Sequence, residues 1–364
     1  MKVSRLDVQN VRAYEWVSVS LFEGINIIYG RNAQGKTTLL EAIALFAYGR
    51  SLRAKSDKEL IRYDQPEARV RLICTKADTE TELAMKLTGK GKQVMVNRVM
   101  QKSLSAFLGH FQAVHFSPDD LALIKGGPDE RRKFLNLALM QIDPEYVEAL
   151  RTYNHLLNQR NRLIKMQDRQ SLAIWDETMS EAGAIVITKR NQFVEQIGNK
   201  VVEHSQRMSD DVDHVAITYK ISVKSESVQA TREELLLAWH KNRDQDFMRG
   251  YTTIGPHRED LTLAINDRRA DTYSSQGQQR SFVLALKLAL VDVIREQTGE
   301  YPVLLLDDVL SELDPLRQEQ LMQLVMRTQT IITTTQIGTI PASFHAKAKI
   351  FHTGHGILEE QAIS

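Results

Sequence analysis

The residues best suited to chemistry are Gly30-Arg31-Asn32-Ala33-Gln34-Gly35-Lys36-Thr37, followed by Thr38 at the start of a helical pattern. The stretch leaves an apolar run, Ile25 to Tyr29, and enters Leu39-Leu40-Glu41-Ala42-Ile43. A strand, a glycine-framed loop, Lys-Thr and a helix together make a phosphate-binding P-loop in the context the motif requires. Gly30 and Gly35 allow the backbone to turn so that successive N–H groups of Arg31, Asn32, Ala33 and Gln34 point into one concavity, which favours an anion. The helix that follows adds the positive end of its dipole. Lys36 brings a point charge to the β- and γ-phosphates of a nucleoside triphosphate, and the Thr37 hydroxyl is a ligand for Mg²⁺.

Two further stretches carry chemistry near the other end of the chain. Val303-Leu304-Leu305-Leu306-Asp307-Asp308 is a continuous apolar run ending in paired carboxylates, the pattern of a buried parallel strand. Asp307 at its tip is a second candidate for the Mg²⁺ shell, and Asp308 is a candidate for polarising an attacking water. Ser275-Gln276-Gly277-Gln278-Gln279-Arg280 stands directly before a long helix, Ser281 to Gln297. There Ser275, Gly277 and Gln278 form a second anion cradle at a helix N-terminus. Candidate catalytic residues are therefore Lys36, Asp307 and Asp308.

The elements that position these groups are legible from periodicity. Residues 1–29 read as a hairpin that feeds the P-loop strand, with alternating Val17, Val19 and Leu21. Arg12 at its break either reaches a nucleotide or is a solvated turn residue. After the P-loop helix comes a basic loop, Gly49 to Lys55, then strands over 68–74, 82–87 and 93–99 whose edge carries Lys86, Lys90, Lys92 and Arg98. That charge reads as a solvated face, with contact to DNA as the alternative. Gln112, ahead of apolar Val114 and Phe116, reads as a structural glutamine or as a strand-edge residue near the nucleotide. Ser117-Pro118 then opens a helix. Residues 119–250 read as almost entirely helical, with apolar stripes through Tyr153, Leu157 and Ile164 and through Phe193, Ile197 and Val201. Spacings of three, four and seven predict an antiparallel pair of long helices. Arg151, Arg160, Arg162, Lys165 and Arg169 are expected on its exposed face. Short strands are expected again at 252–254 and 261–265, with a last one over 329–335.

Composition excludes several classes. The 364 residues, 42% hydrophobic and 26% charged, suit an ordinary globular chain of two or three domains. A net charge of +1 confines any nucleic-acid surface to a local patch. The single cysteine, Cys74, excludes an internal disulfide and fits a reducing, cytoplasmic compartment. The start of the chain lacks an apolar signal segment, and Lys287 interrupts the apolar run from Val283 to Val291, so no membrane association is expected. The ten histidines show no ligand spacing, and no nuclease constellation is expected.

In this order, the P-loop, the Ser-x-Gly-Gln loop and Leu-Leu-Leu-Asp-Asp with Ser311-Glu312-Leu313-Asp314 resemble the ABC-type ATPases. The particular forms Gly30–Thr37, Phe116-Ser117-Pro118-Asp119-Asp120-Leu121, Gly255-Pro256-His257-Arg258 and Ser275–Arg280 are similar to the RecF family of DNA-repair proteins. The resemblance implies an α/β ABC-type P-loop ATPase head, a mixed sheet with helices and an antiparallel β subdomain, into which a helical arm is inserted. The head would come from 1–118 and 251–364, and the arm from 119–250. It further implies ATP and Mg²⁺ as cofactors and an ATP-dependent homodimer. In that dimer the P-loop, Asp307 and Asp308 of one subunit face Ser275, Gly277 and Gln278 of the other across the nucleotide. The implied function is DNA repair and replication, with DNA-damage and SOS context: binding of double-stranded DNA and of gapped junctions with single-stranded DNA, DNA-stimulated ATP hydrolysis, and loading of the recombinase RecA with RecO and RecR. Asp308 stands where most such ATPases have Glu, and Thr335 or Gln336 where a switch histidine is usual, so hydrolysis is expected to be slow. The competing reading is a nucleotide-gated DNA clamp with negligible turnover. A transporter subunit is disfavoured by the arm, and an arm this short disfavours a long coiled-coil chromosome organiser.

Overall fold

The computed structural model describes residues 1–209, 213–224, 226–345, 347–354 and 356–361. The chain divides into two compact units, Met1–Asp120 with Lys287–Ser364, and Leu121–Leu286. The segment 251–286, expected with the head, therefore groups with the helical unit.

The first unit opens with β1 (Lys2–Val11), β2 (Tyr14–Ser20), β3 (Ile25–Tyr29) and α1 (Lys36–Tyr48). β4 (Glu67–Lys76), β5 (Thr79–Thr88), β6 (Gly91–Val96), β7 (Val99–Met100) and β8 (Ala113–Phe116) follow. The second unit holds α2 (Ala122–Lys125), α3 (Pro128–Leu139), α4 (Pro144–Lys165), α5 (Leu172–Ser209), β9 (Val215–Lys220), α6 (Val228–Lys241) and α7 (Arg243–Arg249). Next come β10 (Asp260–Ile265), β11 (Arg268–Arg269), α8 (Ala270–Tyr273) and α9 (Gln276–Thr298), and the division between units falls inside α9. The first unit closes with β12 (Val303–Asp307), α10 (Pro315–Val325), β13 (Thr330–Thr334), α11 (Ala342–His345), β14 (Ala348–Gly354) and β15 (Ile357–Gln361).

Two six-stranded sheets build the first unit. One is antiparallel, in the order β2-β1-β4-β5-β6-β7. Its strands alternate: Leu6 and Val8 of β1, and Val70 and Leu72 of β4, are buried, while Arg5 and Arg69 point to the exposed face. The other has the order β15-β14-β3-β13-β12-β8 and is parallel from β14 to β8. A strand buried on both faces cannot alternate, and Val303, Leu304, Leu305 and Leu306 of β12 are all fully buried. In such a sheet, ligands bind beyond the carboxyl ends of the strands. The P-loop leaves β3 and the Asp pair leaves β12 at that end.

The second unit is not purely helical, because β9 pairs antiparallel with β10. Its helical hairpin is present: α4 and α5 are joined across the break at 166–171, with Tyr153, Leu157, Met179, Ile187 and Trp239 in one apolar cluster. The start of α4 combines Pro144 at its first position with an Asp143 carboxylate that accepts from the Tyr146 N–H at 3.0 Å. Arg160 departs from the expected exposed face. It is fully buried, with its guanidinium donating to Asp176 and Asp246 at 2.7 Å each and to Thr252 at 2.8 Å, over the Trp239 ring. A buried charge is tolerated only when paired in this way, and here the pairing ties α4 to α5 and α7. Thr252 serves that cluster and lies in no strand, so the strand expected at 252–254 is absent. Arg162, Lys165 and Arg169 are exposed as expected.

Candidate functional site

The P-loop is held by packing behind it. Gly35 has φ +94°, and a Cβ there would lie 2.7 Å from the Tyr14 ring; a Cβ on Gly30 would lie 2.4 Å from the Thr353 carbonyl oxygen. Only glycine fits at either position. Tyr14 is fully buried, and its hydroxyl lies 3.0 Å from Thr353 Oγ1, which itself donates to the Gln34 carbonyl at 3.1 Å. Since the Thr353 proton goes to Gln34, Tyr14 is the donor in its own bond. The Gly30 and Gln34 positions are thus braced by β14 and β2. Nothing in the local sequence announces Tyr14 or Thr353, whose positions differ by 339 residues.

Within the loop, Arg31, Asn32 and Ala33 are exposed, Gln34, Gly35 and Thr37 half-buried, and Lys36 and Thr38 buried. The Lys36 ammonium donates to the Gly30 carbonyl at 2.6 Å and to that of Arg31 at 2.9 Å. Burial pushes its pKa below the usual lysine value, with Asp308 and Asp307 opposing. Thr37 Oγ1 donates to Asp307 Oδ1 at 2.9 Å, and Thr333 Oγ1 donates to the same oxygen at 2.7 Å. The second contact follows from the β12–β13 register, which pairs Asp307 with Thr333. Arg53 of the basic loop reaches 3.9 Å from Asp307 Oδ2. Asp308 stands at φ +52°, in the left-handed region. Burial raises its carboxyl pKa above the usual value, with Asp307 and Glu312 adding and the Lys36 charge opposing.

The donor set at Thr37 and Asp307, one hydroxyl and one carboxylate, is that of a hard divalent cation such as Mg²⁺. The glycine-framed loop and buried ammonium fit the phosphates of a nucleotide. Beside them, Lys287 is buried, donating to the His115 carbonyl at 2.8 Å and pairing with Asp120 at 2.7 Å. The one charge in the apolar run of α9 was the signal for this contact. Of two other sequence candidates, Gln112 is structural, and Arg12 is half-buried in an ion pair. Gln112 is buried at the start of β8, the opposite strand end from Asp307, and its amide donates to the Gly109 carbonyl at 2.6 Å. Arg12 pairs with Glu41 of α1 at 2.9 Å.

The Ser275 loop lies in the second unit. Ser275 Oγ accepts from the Gln278 N–H at 3.2 Å, and Gln278 Oε1 accepts from the Ser275 N–H at 2.9 Å. This reciprocal pair is a capping box on α9. Gln278 Nε2 also donates to Asp213 at 2.8 Å. Ser275 is exposed, and Gly277 and Gln278 are half-buried. Among the described residues no group of three or more His, Cys, Asp or Glu side chains is placed to hold a metal ion, and no helix is long and apolar enough to cross a membrane.

A P-loop beside a buried Asp-Asp strand end in a mixed sheet, on one chain with a Ser-x-Gly-Gln-capped helix, defines an ABC/SMC-type ATPase head. Residues 2–358 match the family described as RecF/RecN/SMC N terminal domain. The chain is 38% identical over 367 residues to the DNA replication and repair protein RecF of Streptococcus thermophilus, covering all of both chains. It is 37% identical to that of Lactobacillus johnsonii, covering 98% of this chain and 99% of the relative. A solved structure of the recombination mediator protein RecF-ATP in RecFOR pathway superimposes with a TM-score of 0.91 at 36% identity, covering 99% of this chain and 98% of that one. An Smc head domain from Pyrococcus furiosus, at 16% identity and a TM-score of 0.55 over 100% of this chain and 96% of that one, shares the fold. The chain belongs to the RecF family.

Proposed function

We propose that the protein binds ATP with Mg²⁺ in the cradle Gly30–Thr38, dimerises around it, and uses slow hydrolysis to time its residence on DNA. The observation that carries this reading is the convergence of Lys36, Thr37, Asp307 and Thr333 at one strand end. The solved RecF-ATP structure at 36% identity supports ATP as the nucleotide. Lys36 would exchange its carbonyl partners for phosphate oxygens, and Thr37 and Asp307 would hold the Mg²⁺. Bound Mg²⁺ supplies positive charge against the phosphates. Thr333 keeps the Asp307 carboxylate oriented. Asp308, ionised, takes the proton of the attacking water. Across the dimer, Ser275, Gly277 and Gln278 of the partner subunit would complete the site. The capping box uses a lone pair of Ser275 Oγ, so its O–H remains the donor for a phosphate oxygen. Family membership supports double-stranded and gapped DNA as the substrate, and RecO and RecR as partners in loading the recombinase.

Asp308 favours a second reading, a DNA clamp gated by nucleotide with turnover only for release. Its side chain is one methylene shorter than that of glutamate, so the carboxylate reaches less far toward an attacking water. Sedimentation velocity with and without ATP, and with gapped duplex, tests the first reading: a shift from monomer to dimer with ATP, and co-sedimentation with DNA, are expected. A monomer under all conditions contradicts it. Equal DNA affinity with ATP and a non-hydrolysable analogue, alongside rapid turnover, contradicts the timer in both forms.

A further inference from the structure

The outward face of the antiparallel sheet in the first unit carries a cross-strand row that the nucleotide site does not use. Register places Trp16 of β2 opposite Gln9 of β1, Gln9 opposite Arg69 of β4, Arg69 opposite Lys86 of β5, and Lys86 opposite Gln93 of β6. Strands lie ~4.8 Å apart, so the row spans roughly 19 Å. Trp16 is 59% exposed, while its neighbours Val17 and Val19 are buried. A groove of about 470 Å³ runs along this face, lined by Trp16, Arg69, Lys86, Met95 and the ion pair of Arg71 with Asp7, whose carboxylate leaves Arg69 and Lys86 as the cations that set its charge.

We propose that this row binds an unpaired stretch of nucleic acid, with a base stacked on Trp16 and phosphates on Arg69 and Lys86. The proposal rests on the DNA reading above and names the surface that takes the single strand. Charge complementarity selects the occupant. Arg69 and Lys86 share a single carboxylate, Glu67, at 2.6 Å each, so the middle of the row keeps a net positive charge. The Arg69 side chain is 59% exposed, and an exposed ion pair of this kind is weak enough for a phosphate to displace. An exposed aromatic face among cations and side-chain amides is the set that holds single strands: stacking tolerates any base, cations track the backbone, and amides meet base edges. A duplex offers Trp16 no free base face.

Tryptophan emission reads the contact directly, because Trp239 is buried, Trp175 is partly buried, and Trp16 is 59% exposed. Titration of the ATP-loaded protein with oligothymidylate is expected to quench emission, and Trp16→Phe is expected to abolish most of that quenching. Trp16→Ala should weaken oligothymidylate binding on the order of 10-fold, the scale of one lost base stack, and leave blunt-duplex affinity unchanged. Arg69→Ala should lower the salt dependence of single-strand binding by about one phosphate contact. Both positions are exposed, so the fold is expected to survive either change. Unchanged single-strand affinity in Trp16→Ala, with wild-type protein binding gapped DNA normally, overturns this surface alone. Quenching by polyglutamate but not by oligothymidylate overturns it in favour of an acidic protein partner. Failure of the wild-type protein to bind gapped DNA at all removes the DNA reading itself, and this surface with it.

Discussion

The nucleotide cradle and the Ser275 loop both stand at a helix start, yet they are built differently. The cradle is braced from behind: Tyr14 and Thr353 fix its backbone, and its key ammonium is buried. The Ser275 loop is exposed and held by its own capping box and by Asp213. A braced pocket can bind a ligand alone. In the proposed dimer, the exposed and self-capped helix end is the surface that would meet a nucleotide carried by the partner subunit.

Substitutions can break this contrast at graded strength. The largest effect is expected for Lys36→Arg, since a guanidinium cannot occupy the point position between the Gly30 and Arg31 carbonyls. Some nucleotide binding should persist while hydrolysis falls on the order of 100-fold or more, as when a charge-stabilising donor is lost. A phosphate-release assay checks this, and near-normal turnover would remove Lys36 from its role.

Next in size is the pH dependence of turnover. The Asp308 carboxyl is held above 3.8 and the Lys36 ammonium below 10.5, both by burial. On acidification Asp308 therefore loses its charge at a higher pH than an ordinary aspartate, and on alkalisation Lys36 loses its own at a lower pH than an ordinary lysine. The pH–rate profile should be narrowed from both sides. Linkage gives the matching stability signs. The folded state holds the Asp308 proton more tightly than the unfolded chain, so its contribution falls as pH rises from 3.8 through the folded value. The folded state holds the Lys36 proton less tightly, so its contribution rises with pH between the folded value and 10.5. An acid limb at the position of a free aspartate would show that Asp308 is not the titrating base.

A smaller effect is expected of Tyr14→Phe. The ring stays against Gly35, and only the donor to Thr353 is lost. A neutral buried hydrogen bond is worth about 1 kcal/mol, so nucleotide affinity should fall about 5-fold by calorimetry. Unchanged affinity would show that the brace does not shape the cradle. The smallest effect belongs to Gln278→Ala, which removes one arm of the capping box and the bond to Asp213. Chemical denaturation should show a loss of about 1 kcal/mol.

The cradle itself was legible in the sequence because its determinants are local: glycine spacing, Lys-Thr and an apolar strand on one side. The buried β12 was legible for the same reason, since a run of Val and Leu ending in Asp has few other homes. What the sequence hid was assembled over long range. Tyr14 and Thr353 meet only because β2 and β14 flank the P-loop, and no periodicity reports that. Arg160 reads as a solvated arginine until α5 and α7 bring it Asp176 and Asp246. The pairing of β9 with β10 was masked in the same way, by helical patterns on either side.

The claim that each subunit completes the other's site is tested most directly by mixing two inactive variants. Lys36→Ala removes the cradle's charge, and Ser275→Arg blocks the presented loop. In a mixed dimer, one interface pairs the intact cradle of the second variant with the intact loop of the first. Each variant alone should be inactive, and ATP hydrolysis should reappear on mixing. Absence of any recovery, with both variants folded and mixed dimers present, would contradict the shared site.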